Sequence, residues 1–148
     1  MAATISRYNH TAKKLMNKEV DYTALKIMLL DNTASFTATH TKLSDVAGSA
    51  NAKEVSGNGW TAGGETLASV AVTTVDTNGA MLDAADVEKT ASGGSIGAAY
   101  NAVIYDDTDS DDAPLWFIAF GEAKTADDGT PFKVAMNASG LARITQAA

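Results

Sequence analysis

The chain has no cysteine among its 148 residues. Disulfides and thiolate metal sites are therefore excluded, and stability has to come from packing, strand pairing or assembly. Long apolar runs are missing too: nothing approaches the roughly 18 residues that a membrane helix needs. The opening Met-Ala-Ala-Thr-Ile-Ser-Arg-Tyr-Asn-His lacks the ordered charged and apolar regions of a signal peptide, which predicts a soluble protein made in a cytoplasm. Positive charge is scarce, with 11 Lys and Arg against 18 Asp and Glu for a net charge of −7. That balance argues against a dedicated nucleic-acid binder and favours solubility at high local concentration. There is no repeat of solenoid or propeller length and no low-complexity segment beyond one run of Asp.

What is present suits a single domain. Hydrophobic residues make up 45%, and a chain of this length buries about two-thirds of its unfolded surface. Residues 20–30, Val-Asp-Tyr-Thr-Ala-Leu-Lys-Ile-Met-Leu-Leu, form the longest apolar stretch of the first third and end in Asp31-Asn32, a turn signal. Such a run reads as a strand covered on most of both faces. A basic segment, residues 1–19, precedes it. An acidic body rich in Gly, Thr and Val follows, and the sequence divides into an N-terminal arm (1–19) and a β-domain (20–148).

Within the body, Thr41 or Ser44 is a candidate cap for a short helical turn over Leu43 and Val46. Glu54-Val55 reads as a short edge strand before a Gly-rich loop around Trp60. Residues 66–74 read as one strand with Ala68, Val70 and Val72 on one face, opposite Leu67, Ser69, Ala71 and Thr73. Asn78-Gly79 then supplies the strongest short hairpin signal, with residues 80–84 as the returning strand. Further strands are expected at 86–90, at 96–105 (Ala98, Tyr100, Ala102 and Ile104 sharing a face), at 115–120, at 132–136 and at 141–144. Seven or eight short strands with frequent turns predict an all-β fold, an antiparallel β-sandwich or barrel-like domain with an extended N-terminal arm. Its expected core contains Leu25, Ile27, Leu29, Val70, Val72, Ile104, Phe117, Ile118 and Val134.

Candidate chemistry is thin. Asp107, Asp109 and Asp111 match the first, third and fifth positions of a calcium loop, but the required Gly is Asp112 and the bidentate Glu is Ile118. The run from Asp106 to Asp112 therefore reads as a solvated hairpin tip. His10 and His40 lack the spacing of a metal pair. No Gly-x-Ser-x-Gly elbow exists, and Gly57-Asn58-Gly59 is not completed as a phosphate loop. These patterns predict neither an enzyme nor a cofactor site. Trp60, with Trp116 and Tyr105, is a candidate sugar-stacking platform, against the alternative that it plugs one end of a sandwich.

The arm is the remaining candidate. Arg7, Lys13, Lys14 and Lys18 outnumber Glu19, and Tyr8, His10, Leu15 and Met16 are more apolar and aromatic than a solvated tail. An isolated helix of two turns is marginal in water, so the arm is expected either to fray as a leader or to be ordered by a neighbouring subunit. In the second case Tyr8, Leu15 and Met16 are buried there while the lysines face carboxylates.

Three segments carry a resemblance: Ser-Arg-Tyr-Asn-His from Ser6 through the apolar run to Leu30; Ala52-Lys-Glu-Val-Ser-Gly-Asn-Gly-Trp-Thr-Ala-Gly-Gly-Glu-Thr-Leu67; and Ala99-Tyr-Asn-Ala-Val-Ile-Tyr-Asp-Asp107. With them the chain resembles, over nearly its whole length, a family of small virion structural proteins of tailed bacteriophages and prophages. The resemblance implies a β-rich module of the virion. The first expectation is a capsid decoration (cement) protein that binds the major capsid protein as a homo-oligomer, most simply a trimer. A tail or tail-fibre adaptor is the second, and a carbohydrate-binding module built on Trp60 is the rival of another class. No membrane partner is implied.

Overall fold

The computed structural model describes residues 3–76 and 78–145. Strands hold 44% of the chain and helices 11%, and the strand pairs are antiparallel. The fold is all-β and sandwich-like.

The architecture is built around Leu25–Leu30 (β2). Leu25, Ile27 and Leu29 enter one core, Met28 and Leu30 enter another, and all five have no exposed surface. A strand buried on both faces must be apolar at both parities, and this stretch is. Ile96–Asp106 (β8) pairs with β2 on one side. The short Glu54–Val55 (β3) and Glu65–Thr66 (β4) pair with it on the other. Pro114–Ala126 (β9) pairs with β8, and Thr4–Arg7 (β1) adds to the outer edge of β9.

One face of this six-stranded sheet is covered by two smaller sheets. Ala71–Asp76 (β5), Gly79–Asp83 (β6) and Ala142–Thr145 (β11) form a three-stranded sheet with β6 in the middle. Val87–Thr90 (β7) pairs with Pro131–Val134 (β10). Leu82, Val87, Phe132 and Val134 thereby close over Ile27, Ile104 and Trp116. The opposite face is covered by the short helix Leu43–Ala47 (α2) and the loop before it, which bring Leu43, Val46 and Phe36 onto Met28, Val103 and Phe117. Each large side chain fully buried in these layers contributes about 1.5–3 kcal/mol.

The start of α2 differs from expectation. Neither Thr41 nor Ser44 caps it; the Asp45 carboxylate accepts the backbone N–H of Thr41 and of Lys42 (3.1 and 3.0 Å). These two bonds hold the Asp45 carboxyl below its ordinary range.

The expected strand over residues 66–74 is two strands in different sheets. Ser69 adopts φ 54°, a left-handed conformation in which a strand cannot continue. Before it, β4 pairs with β2 and Leu67 is buried; after it, β5 leaves to pair with β6. The face assignment is corrected with it. Leu67 is in the core, Val70 is half-buried against it, and Val72 is 54% exposed. The remaining expected core residues are buried. The expected β5–β6 hairpin forms, with Asp76 opposite Gly79, so Gly79 opens β6 instead of standing at the centre of the turn; Thr77 lies outside the described residues, as do residues 1–2 and 146–148.

In β8 the expected alternation holds for Ala102 and Ile104 against Val103 and Tyr105. It fails earlier, where the register shifts between Ile96 and Asn101. Ala98 is exposed and Ala99 is fully buried in its place. Gly97 allows this irregularity: at φ +125°, a Cβ there would sit 2.6 Å from the Lys124 carbonyl oxygen.

Candidate functional site

Residues 4–16, expected as an arm that needs a neighbour to become ordered, lie on the chain's own body. β1 pairs with β9 from Thr4 opposite Ala119 to Arg7 opposite Trp116. Asn9–Met16 follows as α1, a segment with good helix formers at Ala12, Lys13, Lys14, Leu15 and Met16. Lys13 and Lys14 in its last turn complement the negative end of the helix dipole. Contacts to the body order a helix too short to persist alone. The Tyr8 backbone N–H donates to the Leu115 carbonyl (3.1 Å), the Thr11 hydroxyl donates to the same oxygen (2.8 Å), and His10 Nε2 donates to the Pro114 carbonyl (2.6 Å).

Tyr8 has no exposed surface. Its ring packs 5.0 Å from Phe36 and 6.3 Å from His40, and burial pushes its phenol well above the ordinary tyrosine range. Its hydroxyl is buried without a hydrogen-bond partner among the described residues. Of the other expected interface residues, Lys14 pairs with Asp109 of the same chain at 2.7 Å. Leu15 is half-buried against the first core. Arg7, Lys13, Met16 and Lys18 are exposed.

The acidic loop is the β8–β9 tip, with Asp107, Thr108, Ser110 and Asp111 exposed, and lysines from three segments reach it. Asp107 pairs with Lys26 at 3.0 Å, Asp109 with Lys14, and Asp111 with Lys42 at 3.4 Å. Asp106 is 2% exposed and accepts the Asp21 N–H and both the N–H and hydroxyl of Thr108. The Lys14 ammonium, as the largest influence, holds the Asp109 carboxyl below its usual value. Burial first, then Asp107 and Asp109, raises the carboxyl of Asp112. Among the described residues no group of three His, Cys, Asp or Glu is placed to hold a metal ion.

Trp60 is 2% exposed and packs edge-on against Phe132 at 5.6 Å between centroids. Trp116 and Tyr105 are equally buried. None offers a face on which a sugar ring could stack, so the platform is corrected to a plug beneath the Gly-rich loop. Gly64 closes that loop against β2: its φ is +94°, and a Cβ would meet the Ile27 carbonyl oxygen at 2.5 Å.

The feature left open to solvent is apolar. α1 and the β5–β6–β11 sheet enclose a groove of about 210 Å³ lined by Leu15, Met16, Tyr22, Val72, Ala80, Leu82, Ala142 and Ile144. No lining residue is charged. The register sets Val72 beside Leu82 and Ala142, and Ala80 beside Ile144, so alternate residues of three strands share this face. Met16 is 77% exposed, Val72 54% and Ile144 70%. Three of the four large hydrophobic residues exposed among those described thus line one groove; the fourth, Ile5, lies on β1. Sequence reasoning identified Leu15 and Met16 but missed Val72 and Ile144. The apolar alternation in both strands was the available signal. No family model, curated protein or solved structure matches the chain.

Proposed function

We propose that the protein is a structural component of a tailed-phage virion, made in the bacterial host and used as a capsid decoration (cement) protein. On this reading it acts through contact surfaces: it self-associates and binds the major capsid protein, stabilising the shell. The observation that carries the reading is the convergence of Met16, Val72 and Ile144, all more than half exposed, on one uncharged groove. Exposed apolar residues gathered in one groove, not scattered singly, favour a contact surface. The resemblance of residues 6–30, 52–67 and 99–107 to virion structural proteins supplies the setting. Burial of Trp60 argues against the carbohydrate-binding alternative.

The test is stoichiometry in purified particles of the phage or induced prophage that encodes the chain, by quantitative gel densitometry against the major capsid protein. Hundreds of copies per particle support decoration of the shell. A few to a dozen copies, the numbers set by tail symmetry, would make it a tail or fibre adaptor instead. Absence from washed particles overturns the virion reading.

A further inference from the structure

We propose that the slot between β9 and β10 takes an extended, acidic peptide segment of another protein, which adds to both strands as the missing strand between them. This deepens the reading of the protein as one that acts through contact surfaces, and rests on it. β9 and β10 follow each other in the chain but do not pair with each other. The turn between them is fixed in place: the Thr130 N–H donates to the Asp127 carbonyl, the Gly129 N–H to the Ala91 carbonyl and the Ala91 N–H to the Thr130 carbonyl. On one side of it β9 belongs to the six-stranded sheet; on the other, β10 pairs only with β7 among the described residues. β1 reaches β9 no further than Thr4 opposite Ala119, and β9 runs on to Ala126 with no strand on that side among the described residues. Two open edges therefore diverge from one turn.

The space between them is about 410 Å³, within the range of ligand sites. Its lining says what fits. Residues 124–126 of one wall and 131–135 of the other line it consecutively. Side chains of a strand alternate between faces, so consecutive lining residues mean that both strands present their edges, whose backbone groups are completed by another strand. Packed sheets stand about 10 Å apart and paired strands about 4.8 Å, so one added strand spans the gap. The core side chains Ile118, Phe120, Phe132 and Val134 also line the slot, which suits apolar residues at every second position of the segment. Lys124 and Lys133 are the charged lining residues, and no carboxylate lines the slot among the described residues. Each lysine meets an exposed carboxylate, Glu122 and Asp86 respectively. Exposed pairs of this kind are weak, so acidic side chains at the other positions of the segment can share both ammonium groups. The carboxylates of the turn are engaged elsewhere: Asp128 accepts the Gly93 N–H at 2.9 Å and Asp127 the Ser95 hydroxyl at 3.5 Å. Among the described residues no edge strand of this chain longer than two residues alternates apolar with acidic positions; β1 and β11 carry Arg7 and Arg143 and no carboxylate. The segment is therefore assigned to another protein.

Backbone-amide NMR spectra of the full chain test this, with the capped peptide Val-Glu-Val-Glu-Val-Glu as probe. Its addition is expected to shift the amides of residues 124–126 and 132–135 together. Val-Lys-Val-Lys-Val-Lys should bind at least about tenfold more weakly, and joint Lys124→Gln and Lys133→Gln substitution should weaken the acidic peptide by about as much. Unchanged amide positions elsewhere establish that the variant folds. N-methylation of the valines or of the glutamates blocks the donors that face one edge, so each methylated peptide is expected to lose binding. Amides left unshifted by the acidic peptide in millimolar excess, equal binding by the lysine peptide or to the glutamine variant, or a methylated peptide that binds as its parent does overturns the proposal. So do the same shifts on concentrating the chain alone, which make the occupant a second copy. None of these results touches the stoichiometry in the virion, so the two readings fail separately.

Discussion

Removing the ring of Tyr8 tests whether residues 4–16 belong to the body of the molecule. Tyr8 is fully buried against Phe36, His40 and the second core. Replacing a buried aromatic residue by alanine costs about 3–5 kcal/mol, a large part of the roughly 5–15 kcal/mol that holds a domain folded. Tyr8→Phe separates the ring from the hydroxyl. The ring contacts remain, while a hydroxyl with no hydrogen-bond partner among the described residues is deleted. A buried polar group without a partner costs about 1–3 kcal/mol. Tyr8→Phe is therefore expected to stabilise by about 1 kcal/mol, raising the midpoint by about 3 °C in a domain of this size.

Urea unfolding at two protein concentrations is the assay. Tyr8→Ala should lower the midpoint sharply at both, and Tyr8→Phe should raise it slightly at both. A Tyr8→Ala unfolding free energy within about 1 kcal/mol of wild type would refute the reasoning, because the ring would then contribute little to the folded body. A Tyr8→Ala deficit that appears only at the higher concentration would refute it differently: Tyr8 would be buried on another copy.

Other expectations follow from single contacts. Gly64→Ala forces a Cβ against the Ile27 carbonyl at a positive φ and should cost about 3 kcal/mol, read as a lowered urea midpoint. Lys14→Met should flatten the acid limb of the stability profile. The depressed Asp109 carboxyl contributes stability above its unfolded value of about 3.9 and loses it as pH falls through the folded value, and that contribution is largely gone without the ammonium. Asp112 has the opposite sign. Its raised carboxyl opposes folding when ionised and is relieved as pH falls through the folded value. Asp112→Asn, which also suits φ 49°, should raise the thermal midpoint at neutral pH and leave it little changed at low pH.

The sequence made β2 and the first half of β9 legible because strands buried on both faces are apolar at both parities. The β5–β6 hairpin was legible from an Asn-Gly pair between two β-prone runs, although Gly79 stands opposite Asp76 as the first residue of β6. Ser69 was not: a serine carries no mark of the left-handed conformation that sends β5 to another sheet. Alternation at Val70 and Val72 announces an apolar face but says nothing of what covers it, so Val72 read as core. The arm was half legible. Tyr8, Leu15 and Met16 stood out as too apolar for a tail. Tyr8's neighbours, however, are Phe36 and His40, and Lys14's is Asp109, 95 residues away. Only the fold brings such separations together. The acidic loop is the exposed β8–β9 tip its sequence suggests, but its ion pairs were hidden for the same reason, since Lys14, Lys26 and Lys42 reach it from three segments.

One segment thus has two sides. Tyr8, Thr11 and Lys14 fasten residues 4–16 to the body, while Ile5 and Met16 on the same segment reach solvent. If copies of the chain associate through the groove walled by α1, association requires the segment to be docked first. The apparent affinity then falls by the fraction of molecules in which it is docked. Tyr8→Ala, which removes no residue lining the groove, should weaken self-association even where circular dichroism still reports a folded body. Tyr8→Phe should leave it unchanged. Sedimentation at a series of concentrations measures both, and association by folded Tyr8→Ala that equals wild type would mean that the contact lies elsewhere on the molecule.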